Sequence, residues 1–118
     1  MRIAMPRGDI RLIRFLIDDP NGTAPEVDFD EIYFTVKKSA RDRLIEFQKK
    51  LSDGGITKIN LGDYQIKINP NDTAKMAYGD YKFDVQISWT DNNGELQLKE
   101  TFVGDFVLTE EVTFAENE

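Results

Sequence analysis

The 118-residue sequence contains no cysteine and no histidine. Without cysteine there are no disulfide bonds. Without either residue, the Ser-His-Asp and Cys-His nucleophile arrangements and zinc sites built on imidazole or thiolate are excluded. The sequence also lacks a Gly-rich phosphate loop. We therefore expect a protein that is not an enzyme and has no catalytic residue, no cofactor-binding residue and no metal site.

Long apolar runs and an excess of basic residues are also missing. No segment approaches the roughly 20 apolar residues of a membrane span, and the first six residues lack the apolar core of a signal peptide. The 15 Lys and Arg against 22 Asp and Glu give a net charge of −7, which argues against binding to nucleic acid or to anionic membranes. We expect cytoplasmic synthesis and a single domain over residues 1–114, with a frayed tail at residues 115–118.

The clearest pattern in the chain is a strict alternation of apolar and polar residues from Tyr81 to Trp89. Such alternation indicates a strand with one face in a core and the other in water. The sequence Asp91-Asn92-Asn93-Gly94 predicts a hairpin turn after it. The returning strand is predicted over residues 95–103, and Gly104-Asp105 suggests a bulge before the chain continues through residues 106–109.

Other segments predict further strands, separated by turn residues. The predicted strands are Asp9–Ile17, Glu31–Lys37, Ile56–Ile59 and Tyr64–Ile68, and Asp72–Met76 is predicted to form a single helical turn. The sequence Asp18-Asp19-Pro20-Asn21-Gly22 predicts the turn that ends the first of these strands. Together the segments predict an all-β fold: an antiparallel sandwich of about seven strands with at most a short helical turn.

The segment Ser39–Leu51 supports two interpretations. Ser39 followed by Asp42 resembles a helix capping box, and several apolar residues lie near helical spacing. The alternative is a turn followed by a strand over residues 44–50. The local pattern slightly favours the helix, whereas the surrounding strands and the family resemblance described below favour the strand, which is our prediction.

Acidic and aromatic clusters are the remaining candidates for a binding site. Residues 28–31 and 91–95 supply oxygen atoms suited to calcium, but Leu96 stands where an EF-hand loop requires glycine. Asp and Asn also suit turns on backbone grounds, so we interpret both clusters as turns. Trp89 and Tyr78 could form a sugar platform, although the position of Trp89 in the alternation favours packing at the core.

Charge is distributed unevenly along the chain. Basic residues are frequent in the first segment, whereas residues 100–118 contain acidic residues and no basic ones. The simpler interpretation is that the first and last strands are neighbours and that their charges pair. The alternative is that oppositely charged ends help copies of the chain or its partners to dock.

Residues 76–83 resemble the approach to strand F of immunoglobulin-like domains. In those domains a tyrosine near the start of strand F donates its hydroxyl to backbone a few residues upstream. Tyr81 stands at this position, and Phe83 stands where an antibody domain has its second cysteine. The resemblance implies an immunoglobulin-like sandwich.

The order of segments along nearly the whole chain resembles the N-terminal immunoglobulin-like domain of phage baseplate upper proteins, and related small tail proteins encoded in prophages of low-GC Gram-positive bacteria. The segments are Gly8–Ile10, Glu31–Lys38, Phe47–Gly54, Tyr64–Thr73, Tyr78–Tyr81 and Leu108–Thr113. The resemblance implies a structural protein of the virion that docks on other tail or baseplate subunits and can form homo-oligomers. The alternative function is an immunoglobulin-like module that binds a carbohydrate or another cell-surface ligand.

Overall fold

The alternating segments form strands in the computed structural model, which describes residues 2–17, 29–60, 62–90 and 93–110, without the side chains of residues 99–101. The described residues form eight strands and one helical turn. The strands are β1 (Arg2–Pro6), β2 (Arg11–Leu16), β3 (Glu31–Lys37), β4 (Phe47–Lys50), β5 (Ile56–Asn60), β6 (Asp63–Ile68), β7 (Gly79–Thr90) and β8 (Leu96–Thr109), and the helical turn is α1 (Pro70–Thr73). The prediction of an all-β fold with a short helical turn is confirmed.

The strands form two sheets that face each other. One sheet has five strands in the order β1-β8-β7-β3-β4, and the other has three in the order β2-β6-β5. All pairs are antiparallel except β1 with β8, which is parallel. In immunoglobulin nomenclature β7 is strand F, between strands G (β8) and C (β3), and the smaller sheet contains strands B, E and D. The fold is therefore an immunoglobulin-like β-sandwich.

The core lies between the sheets and is built by the inward residues of each alternation. Strand β3 contributes Ile32, Phe34 and Val36, all fully buried. Phe34 packs against Phe83 of β7, with ring centroids 5.5 Å apart. Across the sandwich, the inward residues of β6 are buried as the alternation predicts. Phe34 and Phe83 lie on neighbouring strands of the five-stranded sheet, so their aromatic contact packs the inner face of that sheet.

The predicted tyrosine contact is present at the start of β7. The hydroxyl of Tyr81 donates to the backbone carbonyl of Ala77 at 2.7 Å. Burial raises the pKa of Tyr81, and the carboxylate of Glu46 raises it further, so the hydroxyl stays protonated as a donor at neutral pH. The hydrogen bond fixes the chain where it enters the central strand.

The helical turn α1 connects the two sheets at one end of the sandwich. Asp72 accepts a hydrogen bond from the backbone N–H of Asn69 at 2.7 Å, and its carboxylate lies 2.5 Å from the ammonium of Lys49 on β4. The fully buried hydroxyl of Thr73 accepts from the backbone N–H of Gly8 at 2.9 Å. The turn begins at Pro70, two residues before the predicted start, because proline suits the first helical position.

Two predictions in the first half of the chain required correction. Strand β1 was not predicted, since its partner β8 lies almost a full chain length away and no local pattern reports that pairing. In the ambiguous segment the predicted strand is confirmed but shorter, and the helical alternative is wrong. Residues near Ser39 form only a turn, in which Asp42 N–H donates to the Ser39 carbonyl at 3.1 Å. The chain is then held extended because Phe47 packs against Phe34 and Phe106.

The predicted irregularity in β8 lies at a different residue. Gly104 and Asp105 pair regularly with Phe83 and Lys82. The register shifts earlier in β8, because residue 102 pairs with Val85 while residue 100 pairs with the next residue of β7, Gln86. The extra residue is therefore at position 101, and it reverses the facing of every residue before it. The prediction of a bulge at Gly104-Asp105 is wrong because both residues pair in register with β7, and a glycine in a strand does not by itself specify a bulge.

Some predictions concern residues outside the described ranges. These include the turn at residues 18–22, part of the hairpin at residues 91–94, and the tail at residues 115–118. The hairpin itself is confirmed by its strands, because Thr90 pairs with Leu96 across the turn.

Candidate interaction surfaces

We first asked whether the sandwich brings reactive side chains together. Within the described residues, no group of three or more acidic side chains is placed to hold a metal ion. Asp30 accepts a hydrogen bond from the hydroxyl of Thr90 at 2.7 Å. Glu31 accepts from the backbone N–H groups of Ser52 and Ile32, at 3.0 and 3.1 Å. These two acids serve to hold backbone and strand ends in place, and Asp28 and Asp91 lie outside the described ranges.

Glu31 has the best-defined electrostatic environment among these acids. Burial alone would raise its pKa, but the hydrogen bonds donated by Ser52 and by the backbone of Ile32 and Leu51 outweigh that effect and lower it. Glu31 is therefore ionised at neutral pH. Because its carboxylate accepts hydrogen bonds from several donors of its own chain, Glu31 has a structural role: it holds the start of β3 beside the backbone of residue 52.

A shallow hollow of about 160 Å³ lies on the outer face of the five-stranded sheet. Its lining consists of polar and apolar side chains from neighbouring strands: Thr35, Lys37, Ala40, Lys82, Phe83, Asp84 and Val103. The ammonium of Lys82 is paired with Asp105, and the hydroxyl of Thr35 accepts a hydrogen bond from Gln48 at 2.9 Å. The hollow thus has room for a few atoms, and two of its polar groups already have partners within the chain.

Ion pairs account for part of the uneven charge. The first strand that was predicted, Asp9–Ile17, pairs with β6 rather than with the last strand, whereas β1, which was not predicted, lies beside β8 with Arg2 opposite Asp105. The hydrogen bond from Lys82 is the main cause that lowers the pKa of Asp105, and Arg2 contributes less. On the other sheet, Arg14 donates from Nε to Asp63 Oδ1 at 2.8 Å, and this pairing lowers the pKa of Asp63. The charges therefore pair within the chain at both places.

The candidate aromatic platform does not form as a single surface. Trp89 is partly buried and packs against the core, with its ring 6.2 Å from that of Phe29. Tyr78 is exposed, and the guanidinium of Arg7 lies 4.3 Å from its ring centroid. Core packing of Trp89 is the outcome that its place in the alternation predicts.

Exposed apolar side chains are concentrated on two strands. On β8, Leu96, Leu98 and Val103 are 64%, 61% and 59% exposed; we call these three residues the β8 surface. They lie opposite the outward residues Thr90, Ser88 and Asp84 of β7, so they project from the outer face of the five-stranded sheet. The extra residue at position 101 places Leu98 and Val103 on the same face although their spacing is odd.

The second group lies at the margin of the smaller sheet. Ile10, Leu12 and Leu16 are 61%, 55% and 63% exposed; we call these three residues the β2 surface. They alternate with Ile13, Phe15 and Ile17, which face the core as predicted. The sequence thus indicated the inward residues of β2, but its outward leucines were not identified as a surface.

Both groups consist of large apolar side chains that are exposed to water on a strand or immediately beside one. Scattered apolar residues are normal on protein surfaces, whereas apolar residues grouped on one strand face indicate contacts with other proteins. The β8 surface and the β2 surface are therefore the candidate interaction surfaces of the sandwich.

Comparisons with known proteins add no family to this description. No protein-family model matches the chain, and no curated protein is significantly similar to it. Within the described residues, there is also no helix with the length and apolar character needed to cross a membrane.

Proposed function

We propose that this protein is a non-catalytic structural subunit of a phage tail or baseplate, which docks onto other subunits of the virion. The observation that carries the proposal is the β8 surface, because it places three exposed apolar side chains on a rigid strand. The backbone of β8 pairs with β7 over nearly its whole length, whereas β1 pairs only with residues 105–109. Contacts at the β8 surface would therefore use its exposed side chains, as when two preformed sheets pack against each other.

The absence of histidine and cysteine from the sequence supports a structural role over a catalytic one. The order of segments that resembles baseplate and tail proteins supports the placement in a virion. After synthesis in the cytoplasm of the bacterial host, the protein would be incorporated into the tail. Other tail or baseplate subunits are the proposed partners.

The alternative function, binding of a carbohydrate or cell-surface ligand, requires exposed aromatic side chains near the turns at residues 18–22 or 91–94. Residues 18–22 lie outside the described ranges. Near the second turn, Trp89 packs against Phe29, and the exposed side chains that follow are Leu96 and Leu98. These aliphatic side chains favour protein contacts over sugar stacking.

The proposal is tested with the tail proteins encoded by genes that flank this one. Each is purified and its affinity for the wild-type chain is measured by biolayer interferometry. Leu98→Glu places a charge in the β8 surface and is expected to weaken binding by about tenfold or more, as desolvated apolar contacts do. Leu44→Glu is the matched control, because Leu44 is even more exposed and lies outside β8, in the connection between β3 and β4.

Two results would contradict the proposal. One is that the flanking genes encode no tail proteins, or that none of their products binds. The other is that Leu98→Glu and Leu44→Glu bind a tail protein equally well, which would remove the β8 surface from the interface.

A further inference from the structure

Strand β2 has an open backbone edge. Among the described strands it pairs only with β6. Ile17 N–H donates to the Gly62 carbonyl at 2.8 Å, so residue 17 points its backbone groups toward the β6 side. Backbone groups alternate in direction along a strand. Leu12, Arg14 and Leu16 therefore direct their N–H and C=O groups away from β6, along the open edge.

The same residues make the outer face of β2 apolar. Leu12 and Leu16 are more than half exposed, as is Ile10 immediately before the strand. Natural edge strands are commonly protected by charges, prolines or bulges. Strand β2 has a regular register with β6 over its whole length and contains no proline. It does contain two arginines, of which Arg14 is paired with Asp63 of its own chain. Its open edge is therefore suited to accept another strand.

We infer that β2 pairs with β2 of a second copy of this chain, antiparallel, about a two-fold axis that passes beside Ile13. In this register Ile10 lies opposite Leu16 of the second copy, and Leu12 lies opposite Arg14 of the second copy. Both are pairs of residues that point their backbone groups at the open edge, so they can exchange hydrogen bonds. Ile13 lies opposite Ile13 of the second copy in the intervening position.

Symmetry and side-chain chemistry select this register over its neighbours. A two-fold axis beside Arg14 would place Arg14 directly against its own copy. An axis beside Leu12 would leave Leu16 opposite Gly8, where there is no side chain to cover it. The axis beside Ile13 instead matches every exposed apolar side chain of the β2 surface with a partner, either apolar or the aliphatic stem of Arg14.

Charge does not oppose the pairing at this edge. The two Arg14 side chains would be diagonal neighbours, and each already donates two hydrogen bonds to Asp63 of its own chain, at 2.8 and 2.5 Å. The Arg14–Asp63 pair carries no net charge. The local repulsion between the two arginines is thereby reduced, even though the whole chain carries a net charge of −7.

The product is a closed dimer. It joins two three-stranded sheets into one continuous sheet, with the order β5-β6-β2 running into β2-β6-β5 of the second copy. Because the same edge is used by both copies, the interface is complete with two chains and does not propagate. This inference is independent of the proposed tail function, since it uses β2 and leaves the β8 surface open.

The first experiment measures oligomeric state by sedimentation equilibrium over a range of concentrations. The wild-type chain is expected to form a dimer and no larger species. Leu16→Lys is expected to raise the dimer dissociation constant by about tenfold or more, since the change occurs twice in each interface. Leu98→Lys is the matched control, because it introduces the same charge at a similarly exposed leucine, and it is expected to leave the dimer unchanged.

A wild-type chain that stays monomeric at every concentration would overturn the inference, as would equal effects of the two variants.

The second experiment tests the register by disulfide formation, which is clean here because the natural sequence has no cysteine. Residues opposite each other at a position without exchanged hydrogen bonds have Cα atoms about 4.5 Å apart, within the range that a disulfide spans. Ile13→Cys is therefore expected to cross-link two copies rapidly under mild oxidation, whereas Leu12→Cys, which faces Arg14, is expected to do so slowly. Faster cross-linking at position 12 than at position 13 would contradict this register. The circular dichroism spectrum of Ile13→Ser shows whether a change at this position preserves the fold.

Discussion

In both β7 and β2, alternate side chains point into the same core, but the side chains on the outer faces of the two strands differ. The outward residues of β7 include Lys82 and Gln86, and β7 has a paired strand on each side. The outward residues of β2 include Leu12 and Leu16, and one edge of β2 has no partner among the described strands. Strand β7 is complete within one chain, whereas β2 has both an apolar face and an open edge.

This difference separates stability from association. A central strand contributes most through buried side chains and a full set of backbone hydrogen bonds. The apolar outer face of an edge strand contributes little to the free energy of folding, because its side chains contact water both before and after folding. The same side chains can stabilise a complex when a second surface removes them from water.

The largest predicted effect tests this separation directly. Phe83→Ala in β7 is expected to reduce the free energy of unfolding by about 3–5 kcal/mol, because it leaves a cavity beside Phe34. Leu12→Ala in β2 is expected to change the stability of the monomer by less than about 0.5 kcal/mol. Urea denaturation at low protein concentration, where the dimer is dissociated, measures both. Similar losses for the two variants would mean that the outer face of β2 is covered within the monomer.

The sequence predicted the complete strands better than the incomplete ones. The bounds of β3 and the buried residues of β7 follow from local alternation, which is strong wherever one face is apolar and the other polar. The hydrogen bond of Tyr81 was also predictable, since its partner Ala77 is close in sequence. Each of these features depends on residues within a few positions of one another.

The features that were missed depend on distant residues. Strand β1 is formed by pairing with residues 105–109, and nothing local in its sequence indicates that partner. The extra residue at position 101 is defined only relative to β7. The outward position of Leu12 and Leu16 follows from the same alternation that predicts Ile13 and Phe15 inward, but their exposure depends on whether a distant part of the chain covers the outer face of β2. A local pattern does not contain that information, so the candidate surfaces were not identified although their residues were visible as apolar.

A smaller effect is predicted where β7 begins. Tyr81→Phe removes the hydroxyl that donates to Ala77 and is expected to cost about 1 kcal/mol, the usual net value of one hydrogen bond, because the ring remains packed. Tyr78→Phe is the control, because Tyr78 is exposed and carries the same hydroxyl at a position outside the strand. Thermal unfolding followed by circular dichroism compares the two variants. An equal effect of both changes would show that the hydrogen bond does not fix the entry into β7.

Another small effect is a dependence of stability on pH, which should be greater beside β7 than beside β2. Glu31, on β3 opposite Ser88 of β7, has a pKa lowered overall by hydrogen bonds from Ser52 and neighbouring backbone, against the opposing effect of burial. The folded state therefore binds its proton less tightly than the unfolded state does. The resulting stabilisation is present above the unfolded-state pKa and is lost as pH falls through the lower folded-state pKa.

Glu31→Gln is accordingly expected to reduce the free energy of unfolding by about 1 kcal/mol at pH 7, because the amide is a weaker acceptor than the carboxylate. The difference from the wild type should shrink as the pH is lowered toward 3, where the wild-type carboxylate also becomes protonated. Asp63→Asn, which disrupts the exposed pair with Arg14 beside β2, should show a weaker dependence because solvent screens that pair. Urea denaturation at pH 7, 5 and 3 measures the stability of all three proteins.

If Glu31→Gln destabilised the protein equally at every pH, its effect would be one of packing rather than charge. If Asp63→Asn showed the stronger pH dependence, the ion pair beside β2 would contribute more to stability than the hydrogen bonds of Glu31 beside β7. That result would contradict the proposal that β7 serves stability and β2 serves association.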